Sequence, residues 1–140
     1  MAVILGIGNA TLDIVHLVDS YPDENAEIRC HSRTLRCGGN TANTLAVLSR
    51  LGPSCHWAGM LADNAEGDLV AAELVRHGID ISASEYSDQG GMPVSTIVIS
   101  KQTGSRTITH YRDLPEYSYT AFSAIDLAAF DWLHFEGRNI

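Results

Sequence analysis

The chain has 140 residues, 45% of them apolar, which is enough to bury the core of one modest domain. Asp and Glu number 17 against 9 Lys and Arg, giving a formal net charge of −8. An acidic surface repels phosphate backbones, which argues against nucleic acid as a partner. The sequence also lacks the basic amphipathic segment that would favour binding to a membrane surface.

Two further features bear on the compartment. The three cysteines, Cys30, Cys37 and Cys55, include no CxxC pair. An odd number of cysteines without that spacing fits a reducing compartment better than a disulfide framework, so we expect a cytoplasmic protein. The first apolar run, "AVILGIG", is too short to span a bilayer and is soon followed by Asp13. We interpret it as a strand and not as a targeting signal.

The first half of the chain predicts strands followed by a helix. Val3 to Ile7 is a glycine-bounded apolar run, typical of a strand buried on both faces in a parallel sheet. Two extended segments follow, Leu12 to Val18 and Ala26 to Arg36, and the second is polar on both faces. The chain from Asn40 to Leu51 then predicts a helix of about three turns with an apolar stripe, ended by a Gly-Pro pair.

The second half continues the alternation of strands and helices. The segment "SCHWAGML" predicts a short strand, and "AEGDLVAAELVRHG" predicts a second helix. Val94 to Tyr111 predicts a β-hairpin whose loop contains Gly104. The segment "SAIDLAAFDWLHFEG" predicts a short helical piece and then a buried strand from Trp132 to Glu136. This alternation favours an α/β fold with a mostly parallel central sheet flanked by helices.

The polar strands predict a second, smaller sheet. The segments near residues 12–18, 26–36 and 94–111 cannot all belong to a buried parallel sheet, so we expect them to form a lid beside it. A strand such as Trp132 to Glu136 normally leads into a covering helix, and we therefore expect residues 1–140 to be the N-terminal part of one larger α/β domain. Pairing two lids would cover their exposed edges, which predicts a homodimer. Its candidate apolar contacts are Ile28, Leu35, Ile97, Ile99 and Ile108.

Polar residues are predicted to gather at one edge of the sheet. In open α/β sheets, ligands bind beyond the carboxyl ends of the strands, where Asp13 and Glu136 would lie. Asn40 and Asn43 are three residues apart and therefore share one face at the start of the first helix. Helix capping explains an Asn at position 40 but does not explain a second Asn one turn further.

Gly38 and Gly39 precede this helix, and two adjacent glycines allow a ligand to approach the backbone closely. One carboxylate, two amides and exposed N–H groups suit a small polyol, because hydroxyls both donate and accept hydrogen bonds. The segment "GIGNAT" lacks the third glycine of a dinucleotide fingerprint, and no helix follows it. The six histidines show no paired spacing typical of a zinc site, so we expect no metal ligands in this chain.

Several segments also resemble a known family. These are "LDIVHLVDSYP", "EIRC", "CGGNTANTLAVLSRLG", "GSRTI" and "FDWLHFEGRN", in this order. Their order and spacing resemble the ribokinase-like (PfkB-type) carbohydrate and nucleoside kinases over the whole chain. GGN-x-x-N and EGRN are the most specific segments. Together, "EIRC" and "EGRN" favour the branch of the family that phosphorylates ketohexoses.

The resemblance implies ATP- and Mg²⁺-dependent phosphorylation of a sugar hydroxyl, with a ketohexose such as fructose as the expected substrate. It implies that Arg106 reaches toward the phosphates, and that the sugar is held by Asp13, Gly38, Gly39, Asn40, Asn43 and Glu136. The family's catalytic aspartate lies in a Gly-x-Gly-Asp motif that this sequence does not contain. We therefore expect no catalytic residue in this segment and no activity from it alone. The alternatives left open are a ribokinase-like or nucleoside kinase and a non-catalytic sugar-binding module.

Overall fold

The computed structural model describes residues 1–137; the Arg-Asn pair of the EGRN segment lies outside the described residues. In chain order the elements are β1 (Val3–Ile7), β2 (Thr11–Val18), β3 (Ser32–Gly38), α1 (Asn40–Ser49), β4 (Ser54–Ala58), β5 (Met60–Ala62), α2 (Ala65–Arg76), β6 (Ile79–Asp80), β7 (Glu85–Ser87), β8 (Val94–Ser100), β9 (Arg106–Tyr111), α3 (Tyr119–Ser123), a 3₁₀ turn (Leu127–Ala129) and β10 (Trp132–Phe135). Within this part of the chain, no helix is long and apolar enough to cross a membrane.

The central sheet is parallel, as the buried apolar run at the start of the chain predicts. Its order is β10-β1-β4-β6, with β1 between β10 and β4. Helix α1 packs against β1 and β4, and α2 packs against β5, β6 and the base of the second sheet. Leu5 of β1, Leu45 of α1 and Trp57 of β4 are fully buried in the core. The predicted α/β class and the mostly parallel sheet are confirmed.

A second sheet, which we call the lid sheet, has the order β3-β2-β8-β9. β2 is antiparallel to β3 and parallel to β8, and β8 and β9 form the predicted antiparallel hairpin. The strand expected from Ala26 to Arg36 instead begins at Ser32 and runs to Gly38. Its first pair is Ser32 with Leu17, so β3 begins where the end of β2 first offers it a partner.

The two longer helices begin in different ways. Asn64 caps α2 by accepting hydrogen bonds from the backbone N–H groups of Glu66 and Gly67, both at 3.0 Å. The cap of α1 is Gly39, which has no side chain to offer, so helix capping does not explain the Asn at position 40. No side chain in residues 1–137 caps α1, and its first turn contains no acidic residue.

Two local expectations also differ from the structure. The segment "SCHWAGML" forms two strands, β4 and β5, which separate at Gly59 and join different sheets. A Cβ at Gly59 would collide with the carbonyl oxygen of Gly8 and with the Trp57 ring, so the chain requires glycine at the point where β4 and β5 separate. The helical piece expected from Ser123 divides into α3 and the 3₁₀ turn, with α3 beginning four residues earlier, at Tyr119.

Candidate functional site

A cavity of about 280 Å³ lies between the carboxyl edge of the central sheet, the start of α1 and one face of the lid sheet. All the predicted site residues except Gly38 line it: Asp13, Gly39, Asn40, Asn43, Arg106 and Glu136. They come from β2, the first turn of α1, β9 and the end of β10. The topology therefore brings together residues separated by up to 123 positions in the sequence, from Asp13 to Glu136.

The register of the lid sheet determines which side chains surround Asp13. Asp13 is paired with Arg36 of β3 on one side and Ser95 of β8 on the other. The carboxylate of Asp13 accepts a hydrogen bond from the Thr11 hydroxyl at 2.9 Å, and the Arg36 Nε lies 3.8 Å from its other oxygen. Only 14% of the Asp13 side chain is exposed. This carboxylate is thus oriented and partly desolvated at the cavity wall, where its hydrogen bonds are strengthened.

The adjacent glycines have separate structural roles. A Cβ at Gly38 would collide with the Asp13 carboxylate, so Gly38 gives that carboxylate its space without itself lining the cavity. Gly39 has φ +101°, a conformation that favours glycine, and a Cβ there would collide with the carbonyl oxygen of Asn9. The tight passage into α1 therefore requires glycine at both positions, for two different physical reasons.

The first turn of α1 places two amide side chains at the cavity, those of Asn40 and Asn43. Asn40 and Asn43 are both exposed and both line the cavity, so neither amide is used to fill the core. Helix N-termini carry a partial positive charge, which favours electronegative ligand atoms. This arrangement can donate hydrogen bonds from α1 while Asp13 accepts them from the lid sheet.

Glu136 connects the central sheet to α1. One carboxylate oxygen, Oε2, accepts from the backbone N–H of Asn9 at 2.9 Å and from the Thr41 hydroxyl at 3.3 Å. Thr41 is fully buried, and a Cβ at Gly8 would collide with both the Thr41 hydroxyl and Glu136. Glu136 is therefore held in place at the end of β10, and within residues 1–137 its other oxygen has no hydrogen-bond partner.

The cavity is richer in cations than the rest of the chain. Arg36, Arg106 and Arg112 all line it, although the whole sequence has only 9 Lys and Arg. Arg106 is an exposed residue at the start of β9, whereas only 12% of the Arg112 side chain is exposed. Concentrating cations at one cleft of an acidic protein raises the local attraction for anions such as phosphates.

The thiol of Cys37, which lies between Arg36 and Gly38, is not a nucleophile. Burial, with a smaller contribution from the charge of Asp13, raises the pKa of the Cys37 thiol to about 12. Cys37 therefore stays protonated near neutral pH, and only the thiolate is reactive. Among residues 1–137, no group of three or more His, Cys, Asp or Glu side chains is placed to hold a metal ion.

Sequence reasoning missed part of the wall. The missed residues that carry polar side chains are Asn9, Thr11, Arg36, Ser95, His110 and Arg112. Asn9 and Thr11 follow the first strand, where the rule that ligands bind at carboxyl ends places the segment from Asn9 to Asp13, but that rule gave neither residue a role of its own. Arg36, Ser95 and His110 reach the wall only through the register of the lid sheet, in which Ser95 pairs with His110. No local sequence pattern gives that register.

Comparison with known proteins identifies the class. The family model of the pfkB carbohydrate kinases matches residues 1–140, and the chain belongs to this family. Ketohexokinase from Mus musculus is 40% identical over 137 residues, which are 97% of this chain and 46% of the relative. The chain thus spans about half the length of this curated relative.

Solved structures share the fold. A protein from Agrobacterium tumefaciens, provisionally assigned as a ribokinase, has a TM-score of 0.82 at 21% identity, covering 96% of this chain and 44% of that one. A ribokinase from Arabidopsis thaliana, solved with ribose and ATP, has a TM-score of 0.68 at 20% identity over 79% of this chain and 36% of its own. The predicted ribokinase-like fold is therefore confirmed.

Proposed function

We propose that the protein containing this chain phosphorylates a sugar hydroxyl with ATP, and that residues 1–137 supply most of the sugar site. One observation carries the proposal: Asp13, Asn40, Asn43 and Glu136 line a single cavity together with Arg106. A cavity of about 280 Å³ is close to the small end of the range for ligand pockets and suits a monosaccharide.

The proposed roles follow from hydrogen-bond chemistry. Asp13 and the Glu136 oxygen that has no partner among residues 1–137 accept hydrogen bonds from sugar hydroxyls, while the amides of Asn40 and Asn43 donate and accept. Backbone N–H groups at Gly39 and the first turn of α1 lie against the sugar without an intervening side chain. Binding several hydroxyls at once fixes one of them for phosphoryl transfer, which depends mainly on positioning and charge stabilisation.

We propose a ketohexose such as fructose as the substrate. The 40% identity to a ketohexokinase supports this choice over the alternatives. Ribose is the first alternative, because the Arabidopsis thaliana ribokinase of similar fold was solved with ribose and ATP. A nucleoside is a second alternative acceptor, since Asp13 and the two amides would also satisfy the hydroxyls of a ribosyl group.

ATP is the proposed phosphoryl donor, and Arg106 is the residue we place toward its phosphates. A guanidinium is a fixed cation with several donors that match phosphate oxygens. The described residues do not provide the ligand set of a metal site, so we assign no step to Mg²⁺ within this segment. We propose that Mg²⁺ is held with the nucleotide by groups outside it.

The base that deprotonates the sugar hydroxyl is also proposed to lie outside this segment, because no Gly-x-Gly-Asp motif occurs in residues 1–140. The competing proposal is a sugar-binding module without catalysis, and it shares the cavity described above. ADP release on adding fructose or ribose to the full-length protein distinguishes the two. We further propose a cytoplasmic location, which the three free cysteines support.

Replacing Asn40 or Asn43 by Ala is expected to weaken sugar binding in the full-length protein by about 1–3 kcal/mol each, because each change leaves a sugar hydroxyl without its partner. Neither residue is buried, and Ala is a better helix former than Asn, so the free energy of unfolding should stay the same or rise by several tenths of a kcal/mol. Titration calorimetry with fructose and ribose measures the first effect, and urea unfolding measures the second. Unchanged affinity for both sugars in both variants would contradict the assignment.

Replacing Arg106 by Ala is expected to lower kcat/KM for ATP while leaving the affinity for the sugar unchanged, because the guanidinium faces the charge being transferred. Steady-state kinetics at varied ATP, combined with sugar titration, separates the two effects. Arg33→Ala is a suitable control, since Arg33 is an exposed cation of the lid sheet that does not line the cavity. Equal kinetics for the two variants would make Arg106 a solvated hairpin residue.

We also propose a homodimer that pairs two lid sheets. The two outer strands of the lid sheet support this proposal. Among residues 1–137, β3 and β9 each have one neighbouring strand, and exposed strand edges are normally covered or paired. The five apolar candidates must be revised, because Ile97 is only 3% exposed and Leu35 lies on the face opposite Ile108. Ile108 is 45% exposed on the cavity side and is the best remaining contact.

Ile108→Asp is therefore expected to convert a dimer into a folded monomer, because a buried unpaired charge is costly at an apolar contact. Thr107→Asp is the matched control, since Thr107 is the exposed neighbour on the other face of β9. Light scattering of the full-length protein at micromolar concentration gives the answer. A monomeric wild type would end the dimer proposal.

A further inference from the structure

We propose that Asn9 is a further sugar-contacting residue and that Arg112 is the positioning residue that fixes its amide. This inference rests on the proposed function, since it adds a donor to the same sugar site. Both residues line the cavity, and the sequence pattern gave neither of them a role in binding the sugar.

Asn9 is held at two points. Its backbone N–H donates to Glu136 Oε2 at 2.9 Å, and its side-chain Oδ1 accepts from Arg112 Nη1 at 2.7 Å. A guanidinium can only donate, so the atom that faces Arg112 must be the amide oxygen and not the amide nitrogen. The orientation of the carboxamide is thereby determined by chemistry.

This orientation leaves a specific group for a ligand. With Oδ1 bound to Arg112, the Nδ2 group has two hydrogens to donate, and within residues 1–137 no acceptor satisfies them. The carboxylates that line the same cavity, Asp13 and Glu136, can only accept when ionised. Asn9 thus adds a fixed donor to a wall whose carboxylates act as acceptors, and a sugar hydroxyl, as both donor and acceptor, can bind to such a wall at two points.

Arg112 is itself well anchored. Its side chain is 12% exposed, and its other terminal nitrogen, Nη2, lies 2.9 Å from Glu116 Oε1. It follows directly after β9, so the hydrogen bond to Asn9 joins the base of the lid sheet to the carboxyl end of β1. Without this guanidinium, the Asn9 amide could rotate and would no longer present Nδ2 in one direction.

A double-mutant cycle in the full-length protein tests the proposal, with fructose and ribose as the probes. Arg112→Met and Asn9→Ala are each expected to raise the dissociation constant of the bound sugar about tenfold, the usual effect of losing one hydrogen bond to a ligand. Because Arg112 acts through Asn9, adding Arg112→Met to Asn9→Ala should have no further effect.

Two additional variants guard against a purely structural explanation. Arg112→Gln keeps an N–H donor for Asn9 Oδ1, so it should retain an affinity within about threefold of the wild type. If Arg112→Met does not fold, the test is the loss of affinity in Asn9→Ala beside the retained affinity in Arg112→Gln. Arg33→Met removes a cation from the exposed face of the lid sheet and should leave sugar affinity unchanged. Thermal unfolding of each variant reports any loss of stability separately.

The outcomes separate this inference from the proposed function. A wild type that binds sugar, together with an Arg112→Met variant that binds within twofold of it, would overturn the role of Arg112 alone. Additive effects in the double variant would also overturn it, because Arg112 would then act independently of Asn9. A wild type that binds neither sugar would overturn the proposed function and this inference with it.

Discussion

Asp13→Asn is expected to raise the dissociation constant for the sugar by one to two orders of magnitude, corresponding to about 1.5–3 kcal/mol for a hydrogen bond to a charged group. The substitution keeps the size of the side chain, so the clearance above Gly38 and the fold should be preserved. The change removes a charged acceptor that is oriented by Thr11 and only 14% exposed. Titration calorimetry of the full-length protein with fructose and ribose measures the effect.

Asp19→Asn provides the matched control. Asp19 follows β2 at the far end of the lid sheet, is 81% exposed and is paired with His31 away from the cavity. The control variant should bind sugar as the wild type does. Equal affinities for the two variants would show that Asp13 is an ordinary strand carboxylate.

The second large effect is expected from Gly39→Ala. Any residue other than glycine is strained at φ +101°, and the new Cβ would also collide with the carbonyl oxygen of Asn9. Gly52 has φ +111°, and a Cβ added there would meet no atom within 4 Å, so Gly52→Ala isolates the cost of the backbone angle. We expect Gly39→Ala to reduce the free energy of unfolding by at least about 1 kcal/mol more than Gly52→Ala does.

Urea unfolding of both variants gives this difference. Gly39→Ala should also abolish sugar binding, because moving the turn displaces Asn9 and the first turn of α1 together. Gly52→Ala should bind sugar normally, since Gly52 lies beyond the other end of α1. Equal destabilisation with normal binding in both variants would mean that the close approach of Gly39 to Asn9 is unimportant.

Some of the fold follows from local sequence because the signals there are local. The buried run from Val3 to Ile7 forms β1 with the predicted bounds, since a short apolar segment followed by Gly8 is typical of a buried strand. Helix α1 begins at the predicted Asn40 because Gly38 still belongs to β3 and Gly39 has a φ of +101°, which is not helical. In contrast, the strand expected from Ala26 failed to form before Ser32, because strand formation requires a neighbour and β2 provides none earlier.

The residues of the candidate site also fall into two groups, those that the local sequence predicts and those that depend on contacts distant in sequence. Asp13 and Glu136 could be predicted because the carboxyl ends of parallel strands meet at one edge of a sheet. Arg112 could not be predicted, because its position depends on how the end of β9 meets Asn9 across 103 residues of sequence. Helix capping, the alternative explanation for Asn40, does not apply, because Gly39 with its φ of +101° occupies the cap position.

A crystal structure of the full-length protein grown with fructose, and separately with ribose, tests the proposed sugar site most directly. We expect one sugar in the cavity between α1 and the lid sheet, with hydroxyls within hydrogen-bond distance of Asp13, Asn40 and Asn43. Sugar bound elsewhere on the protein, or an empty cavity at saturating concentrations of both sugars, would contradict it.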